Sequence, residues 1–418
     1  MVHYPARPLD RAAVALASLL LMSTSAFAEQ RTLVFNTDTT DPAPKAAFEA
    51  LIADFEAANP EIDVTVNIFD HEGYKTAIRN FLTADPPDVA SWYAGNRMAP
   101  FVAAGQFADV SDVWEANGLS DLLGSAKASM TIDDKQWGVP YTYYQWGIYY
   151  NKDVYKAAGV DVPTNWDGFI ANCAKFKAMG VDCLTTGTSA LWPAAGIFDY
   201  MSLRTNGYEW HMDLTAGKIA WTDPKVRDVF AQWAKLVEPG YVTANHAAID
   251  WQDAAALLAQ GKAANYVMGN FAVATFKTGG MTNDTLGFMP FPEITPGVPR
   301  SEDAPTDSLH IPAGAKNVAD AKLFLAYVAS AEVQTKMNAT LGQLPTNKNS
   351  TVDQSDPFLS AGFTMLSEAH ALAQFFDRDA PAEMAKAGME GFQEFMVAPD
   401  RVDAILERLE KARQKIYN

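Results

Sequence analysis

Aspartate, tyrosine, tryptophan and arginine, rather than histidine, serine or cysteine, supply the side chains of this chain that could do chemistry. No G-x-S-x-G elbow, P-loop, G-x-G-x-x-G turn or H-E-x-x-H helix occurs in the sequence. The six histidines are scattered, His71-Glu72 lacks a second histidine, and none forms an i, i+3 or i+4 pair suited to a metal. The only two cysteines, Cys173 and Cys183, have no histidine beside them. In an oxidising compartment a pair so spaced reads as a local disulfide, with two buried free thiols as the other reading. Glycosidase carboxylates carry no universal spacing, so Asp38, Asp199 and Asp379 stand as a candidate hydrolytic set.

The aromatic residues are more informative. Tyr141, Tyr143, Tyr144, Trp146, Tyr149 and Tyr150 crowd into ten residues. Because a strand alternates its faces, one core cannot take all of them. Trp92-Tyr93, Trp192 and Phe271 add rings at other strand or loop ends. Sugars present C–H patches on one face and hydroxyls at the edge. Rings suit the first, whereas Asp, Asn and Arg suit the second. The same rings could also be core and rim packing. The adjacent Tyr143 and Tyr144 could ligate Fe³⁺ as phenolates, and an acidic cleft would suit a polyamine.

The elements that must position these residues alternate along the chain. Leu33-Val34-Phe35 reads as a strand, and Phe48, Leu51, Ile52 and Phe55 follow a helix face stopped by Asn59-Pro60. Val64, Val66 and Ile68 predict a second strand, and Val89 to Trp92 a third. Strands separated by single helices predict parallel βαβ units. After residue 145 the pattern predicts a strand at Gly147 to Tyr150 and a capping box over Thr164 to Asp167. Helices follow near 224–237, 251–260, 319–330, 381–397 and 400–417, with a strand at Ala264 to Met268 and a proline-rich loop over 290–306.

Residues 1–28 read as a cleavable export signal. Arg7 and Arg11 precede an apolar run from Ala12 to Met22, and Ala26-Phe27-Ala28 offers a small-x-small cleavage site. The run of about 11 residues is shorter than the roughly 20 that span a bilayer. Glu29, not cysteine, follows the cut, which argues against a lipid anchor. The remaining 390 residues exceed what one core usually organises, so two lobes are expected. A formal charge of −18 disfavours nucleic acid and anionic membranes as partners.

Several segments together resemble the maltose-binding-protein-like family of extracellular solute-binding proteins of carbohydrate ABC transporters. They are Phe55-Glu56-Ala57-Ala58-Asn59-Pro60, Pro87-Asp88-Val89, Gly138-Val139-Pro140-Tyr141 continuing to Tyr150-Asn151-Lys152-Asp153, and Leu344-Pro345-Thr346-Asn347. The likeness runs through the chain behind the signal. It implies two α/β lobes, each a mainly parallel sheet flanked by helices, joined by three crossings near Thr142–Trp146, Thr306–His310 and Ala339–Pro345. The N-terminal lobe would take 29–142 plus 309–340, and the C-terminal lobe 143–308 plus 341–418.

The resemblance also implies a ligand set at cleft-facing strand ends. On this sequence it is Asp38; Trp92, Tyr93, Asn96 and Arg97; Tyr143, Tyr144 and Trp146; Trp192 and Asp199; Asn270 and Phe271; Asp307 and Ser308; and Arg378 with Asp379. Many relatives carry tryptophan near Asn270 or Phe271, and this chain does not. Asp377-Arg378-Asp379 resembles a late cleft segment gripping vicinal hydroxyls, and Asp379 before Ala380-Pro381 could equally cap a helix. The expected function is a monomeric, periplasmic, cofactor-free and non-enzymatic receptor. It would capture a mono- or oligosaccharide and dock transiently on permease subunits. A ferric-ion or polyamine receptor and a secreted glycoside hydrolase are the alternatives.

Overall fold

The computed structural model describes residues 30–417; the export signal expected at 1–28 lies outside them. In chain order the strands of the two main sheets are β1 (Arg31–Thr37), β2 (Ile62–Ile68), β3 (Val89–Tyr93), β4 (Val139–Tyr143), β5 (Trp146–Asn151), β6 (Asp182–Thr185), β7 (Ala263–Gly269), β8 (Leu286–Met289) and β9 (Thr306–His310). The first sheet runs β2-β1-β3-β9-β4 and the second β8-β5-β7-β6.

Local pattern explains the first βαβ units. In the helix Pro42–Ala58 the apolar positions Phe48, Leu51 and Phe55 face inward, and Asn59-Pro60 ends it because proline cannot continue the ladder. β2 buries Ile62 and Val64 and exposes Asp63 and Thr65. Asp88, in the Pro-Asp-Val segment, is buried and accepts from the backbone N–H groups of Val34, Lys316 and Asn317. One carboxylate thereby ties three chain segments at the start of β3.

Both sheets are mixed rather than mainly parallel. β1 pairs parallel with β2 and β3, and β6 with β7, as helix crossovers require. The antiparallel pairings belong to β9, on β3 and β4, and to β5, on β7 and β8. β4 runs into β5 with no helix between them, so no helix crossover fixes the direction of that pair. β4 ends at Tyr143 and β5 starts at Trp146, so only two residues separate the sheets. Between them Gln145 is fully buried and donates to the Phe358 carbonyl. A Cβ on Gly362 would lie 2.2 Å from the Gln145 side chain, so any larger residue there would have to displace that side chain.

Each sheet has its own core. Phe35, Phe55, Trp114 and Phe324 belong to the first, and Tyr149, Phe198, Trp233 and Phe392 to the second. A small third cluster around Leu344 and Leu359 packs against Tyr143 at the passage between them. Cys173 and Cys183 form a disulfide that joins helix Trp166–Ala178 to β6, which settles the pair against two free thiols. That helix is capped by Asn165, whose side chain accepts from Gly168 N–H, not by Thr164 as the sequence predicts. No helix among the described residues is long and apolar enough to cross a membrane.

Candidate ligand cleft

The C-terminal ends of β1 and β3 face the loops that follow β6 and β7, the position where open α/β sheets hold ligands. Between them lies a cavity of about 660 Å³ lined from both lobes, within the usual small-molecule range of roughly 300–1,000 Å³.

One wall is charged, and its basic side chains are each engaged by a carboxylate, with further carboxylates in surplus. Asp38, just past β1, contacts His71 Nδ1 at 2.7 Å and accepts from Ser91 Oγ at 3.2 Å and the Tyr93 hydroxyl at 3.4 Å. Lys75, one helical turn beyond His71 in helix His71–Ala84, donates to Asp377 at 3.1 Å. Arg378 pairs with Asp307 at 2.6 Å and donates to the Tyr144 hydroxyl at 3.1 Å. Its guanidinium lies 4.1 Å from the Tyr93 ring centroid and 5.9 Å from that of Tyr144, within cation–π range of both.

The other wall is aromatic. Trp192 stands among Trp146, Trp251, Phe271 and Phe375, with centroids 6.0, 6.4, 6.1 and 6.4 Å away. Tyr144 meets Phe271 edge-on at 5.5 Å. Two glycines let these rings close up. A Cβ on Gly196 would lie 2.4 Å from Trp146, and one on Gly269 2.5 Å from Phe271.

Burial and charge set the protonation states. Burial alone would raise the Asp38 carboxyl, but the hydrogen bond and attraction to His71 outweigh it and hold the group low. Asp377 is likewise held low against burial by Lys75 and Arg378. Asp307 is raised because burial outweighs Arg378. Asp379 is pushed up to about 7 by burial, with Asn96 as its hydrogen-bond partner.

The sequence-derived set divides. Asp38, Trp92, Tyr93, Tyr144, Trp146, Trp192, Phe271, Asp307 and Arg378 line the cavity. Seven others do not. Asn96 donates to Asp379, so that pair bridges the lobes outside the cavity. Arg97 lies over the Trp92 ring, 6.0 Å from its centroid. Tyr143 pairs its backbone with Leu344. Asp199 is fully buried and accepts the Phe376 N–H, supporting the Arg378 segment from below. Asn270 accepts from the Tyr149 hydroxyl and donates to the Gly342 carbonyl. Ser308 bonds Trp92 O and His310. Asp379 also does not cap the following helix, whose N-cap is Pro381 without a side-chain bond.

Of the three candidate hydrolytic carboxylates only Asp38 reaches the cavity, and of the Tyr143-Tyr144 pair only Tyr144 does. Among the lining residues the sequence reading missed are His71, Lys75, Trp251, Phe375 and Asp377. His71 and Lys75 carry an i, i+4 signal on one helix face. Trp251, like Trp192, opens a helix directly after a loop.

A two-sheet, two-core chain with its cavity between the sheets is a two-lobed binding protein. It belongs to the bacterial extracellular solute-binding protein family, whose profile matches residues 39–335. The chain is 29% identical over 333 residues to an ABC transporter extracellular-binding protein of Pyrococcus horikoshii, covering 78% of this chain and 74% of that one. It is 24% identical over 318 residues to the multiple sugar-binding protein of Streptococcus mutans, covering 75% and 74%. Among solved structures, the bacterial solute receptor AcbH, described as exclusive for β-D-galactopyranose, superposes with a TM-score of 0.85 at 30% identity over 93% of this chain and 100% of that one. A chitin oligosaccharide binding protein shares the fold, with a TM-score of 0.86 at 20% identity over 93% and 99%.

Proposed function

We propose that this protein is the substrate-binding component of an ABC importer, and that it captures a neutral mono- or oligosaccharide in the cleft. The aromatic wall facing a hydrogen-bonding wall carries the reading. Trp192 and its neighbours offer ring faces to the C–H side of a sugar, while Asp38 and Arg378 offer an acceptor and a planar donor to its hydroxyls. Neutrality follows from the pairing. Lys75 and Arg378 already contact Asp377 and Asp307, and His71 contacts Asp38, so neither the lysine nor the arginine of that wall is left for a ligand carboxylate or phosphate.

Ligand touching both walls stabilises the closed arrangement by differential affinity. The protein works as a freely diffusing periplasmic monomer that docks on the permease when closed, and it catalyses no reaction. Similarity to sugar-binding relatives supports this assignment.

A thermal-shift and calorimetry panel of neutral sugars, uronic acids, polyamines and Fe³⁺ tests it. Neutral sugars raise Tm by mass action on the native state, and the matching uronates do not. Silence toward every sugar overturns the assignment, and a response to polyamines alone replaces it with a cation receptor using the surplus carboxylates.

A further inference from the structure

Leu191 has φ +67° and ψ −47°, and the Trp192 N–H donates back to the Ala190 carbonyl at 2.8 Å. Those values define a three-residue γ-turn of the rare, positive-φ kind, which is strained for any residue with a branched side chain. Among the described residues only two other non-glycines, Asp133 and Asp134, have positive φ. Both belong to a residue type that tolerates it, and they sit in the turn between two short paired strands. A leucine lacks that tolerance. The Leu191 side chain is only half-buried and belongs to none of the three hydrophobic clusters of the described residues.

The surroundings hold the turn from several directions. Leu191 N–H donates to Thr188 O at 2.9 Å, and its own carbonyl accepts the Ala194 N–H at 3.1 Å. Ser189 N–H donates to Ile249 O, and Thr188 N–H to His246 O. A Cβ on Gly187 would lie 1.8 Å from the Asp250 carbonyl, so the two loops abut backbone to backbone. Each loop runs directly into a tryptophan at the first position of a helix, Trp192 on one side and Trp251 on the other. Strain kept by an over-determined scaffold next to a ligand cleft is a device for placing a side chain.

We infer that Leu191 is a positioning residue, whose strained turn fixes the Trp192 ring at the centre of the aromatic wall where it stacks on the ligand. The stacking part rests on the sugar reading above; the placement of the ring does not. Leu191→Ile keeps composition and the backbone N–H but puts a β-branch where φ is positive, and so pushes the turn out of shape. Leu191→Gly holds the same turn without strain.

The decisive experiment is a double-mutant cycle with Trp192→Ala, read as Kd for D-galactose and for the tightest neutral sugar of the panel. It is run beside the ¹⁹F spectrum of 5-fluorotryptophan-labelled protein, in which the Trp192 resonance is identified by its loss in Trp192→Phe. Leu191→Ile weakens binding about ten-fold in the parent and has no further effect in the Trp192→Ala background, as coupled sites require. Its Trp192 resonance shifts or broadens. Leu191→Gly recovers most of the affinity and raises Tm, a pattern that a merely structural role for Leu191 does not give. An equal loss in both backgrounds, or an unmoved resonance with unchanged affinity, overturns the inference. A moved resonance in a protein that binds no sugar sinks the sugar reading and leaves the placement of the ring intact.

Discussion

The two walls of the cleft are built on opposite principles. The charged wall draws Asp38, His71, Lys75, Asp307, Asp377 and Arg378 from segments far apart in the chain, and each of its basic side chains contacts a carboxylate. The aromatic wall draws its rings from the second lobe and its passage, and rests on that lobe's core. A paired charge is fixed by its partner, so the first wall is part of the architecture as well as the site. A ring at a loop end can be removed with less damage. The charged wall therefore couples binding to folding, whereas the aromatic wall separates them.

That contrast can be broken at four points, taken from the largest effect down. Arg378→Ala removes the partner of half-buried Asp307 and leaves buried Asp377 with Lys75 alone. It should cost about 3–5 kcal/mol of stability in denaturant unfolding and abolish sugar binding in the same protein. If stability were unchanged, the charged wall would not be structural.

Asp379→Asn tests the lobe bridge behind that wall. The Asp379 carboxyl has its pKa raised in the folded state, to about 7 from an ordinary value of 3.8. The stability it contributes is full below about pH 4 and is lost as pH rises toward 7. The amide of the variant carries no charge, and its oxygen can still accept from Asn96. The variant should match the parent near pH 4 and exceed it at pH 8 by on the order of 3 kcal/mol, read from Tm across that range. A gap that widened toward acid would refute the direction.

Opening Cys173–Cys183 with a double alanine substitution tests the aromatic wall's foundation. Loop-closure entropy for ten residues of separation gives a loss of about 3 kcal/mol. Neither cysteine lines the cavity, so calorimetric Kd should be unchanged at a temperature where the variant is folded. Trp192→Ala gives the smallest effect and the cleanest separation. Affinity falls by about 2 kcal/mol while Tm in the absence of sugar moves little. A large drop in that Tm would mean the ring is core rather than site.

Much of the scaffold was legible in the sequence because it is local. The 3.6-residue spacing of Phe48, Leu51 and Phe55 and the alternation in β2 are decided within a few residues, and the structure keeps both. The site was legible in type more than in position. Asp377-Arg378-Asp379 reads as one polar triplet, but successive residues of a helical turn point roughly 100° apart. The structure accordingly sends Asp377 and Arg378 into the cavity and Asp379 to Asn96. Tyr143 and Tyr144 part for the same kind of reason, where a strand ends and the chain changes sheets. His71 and Lys75 were missed because their meaning depends on Asp38 and Asp377, which no local pattern links to them.

By itself, then, the sequence determined the alternation of strands and helices, the two lobes, the acidic surface, and the aromatic-plus-carboxylate chemistry offered to the ligand. Those properties depend on composition and on spacings of a few residues. Only the tertiary structure decided which charges pair, which of sixteen candidate side chains share a cavity, and that a leucine is bent into a strained turn beside Trp192. Those depend on contacts between segments as far apart as Asp38 and Arg378, which a linear pattern does not encode.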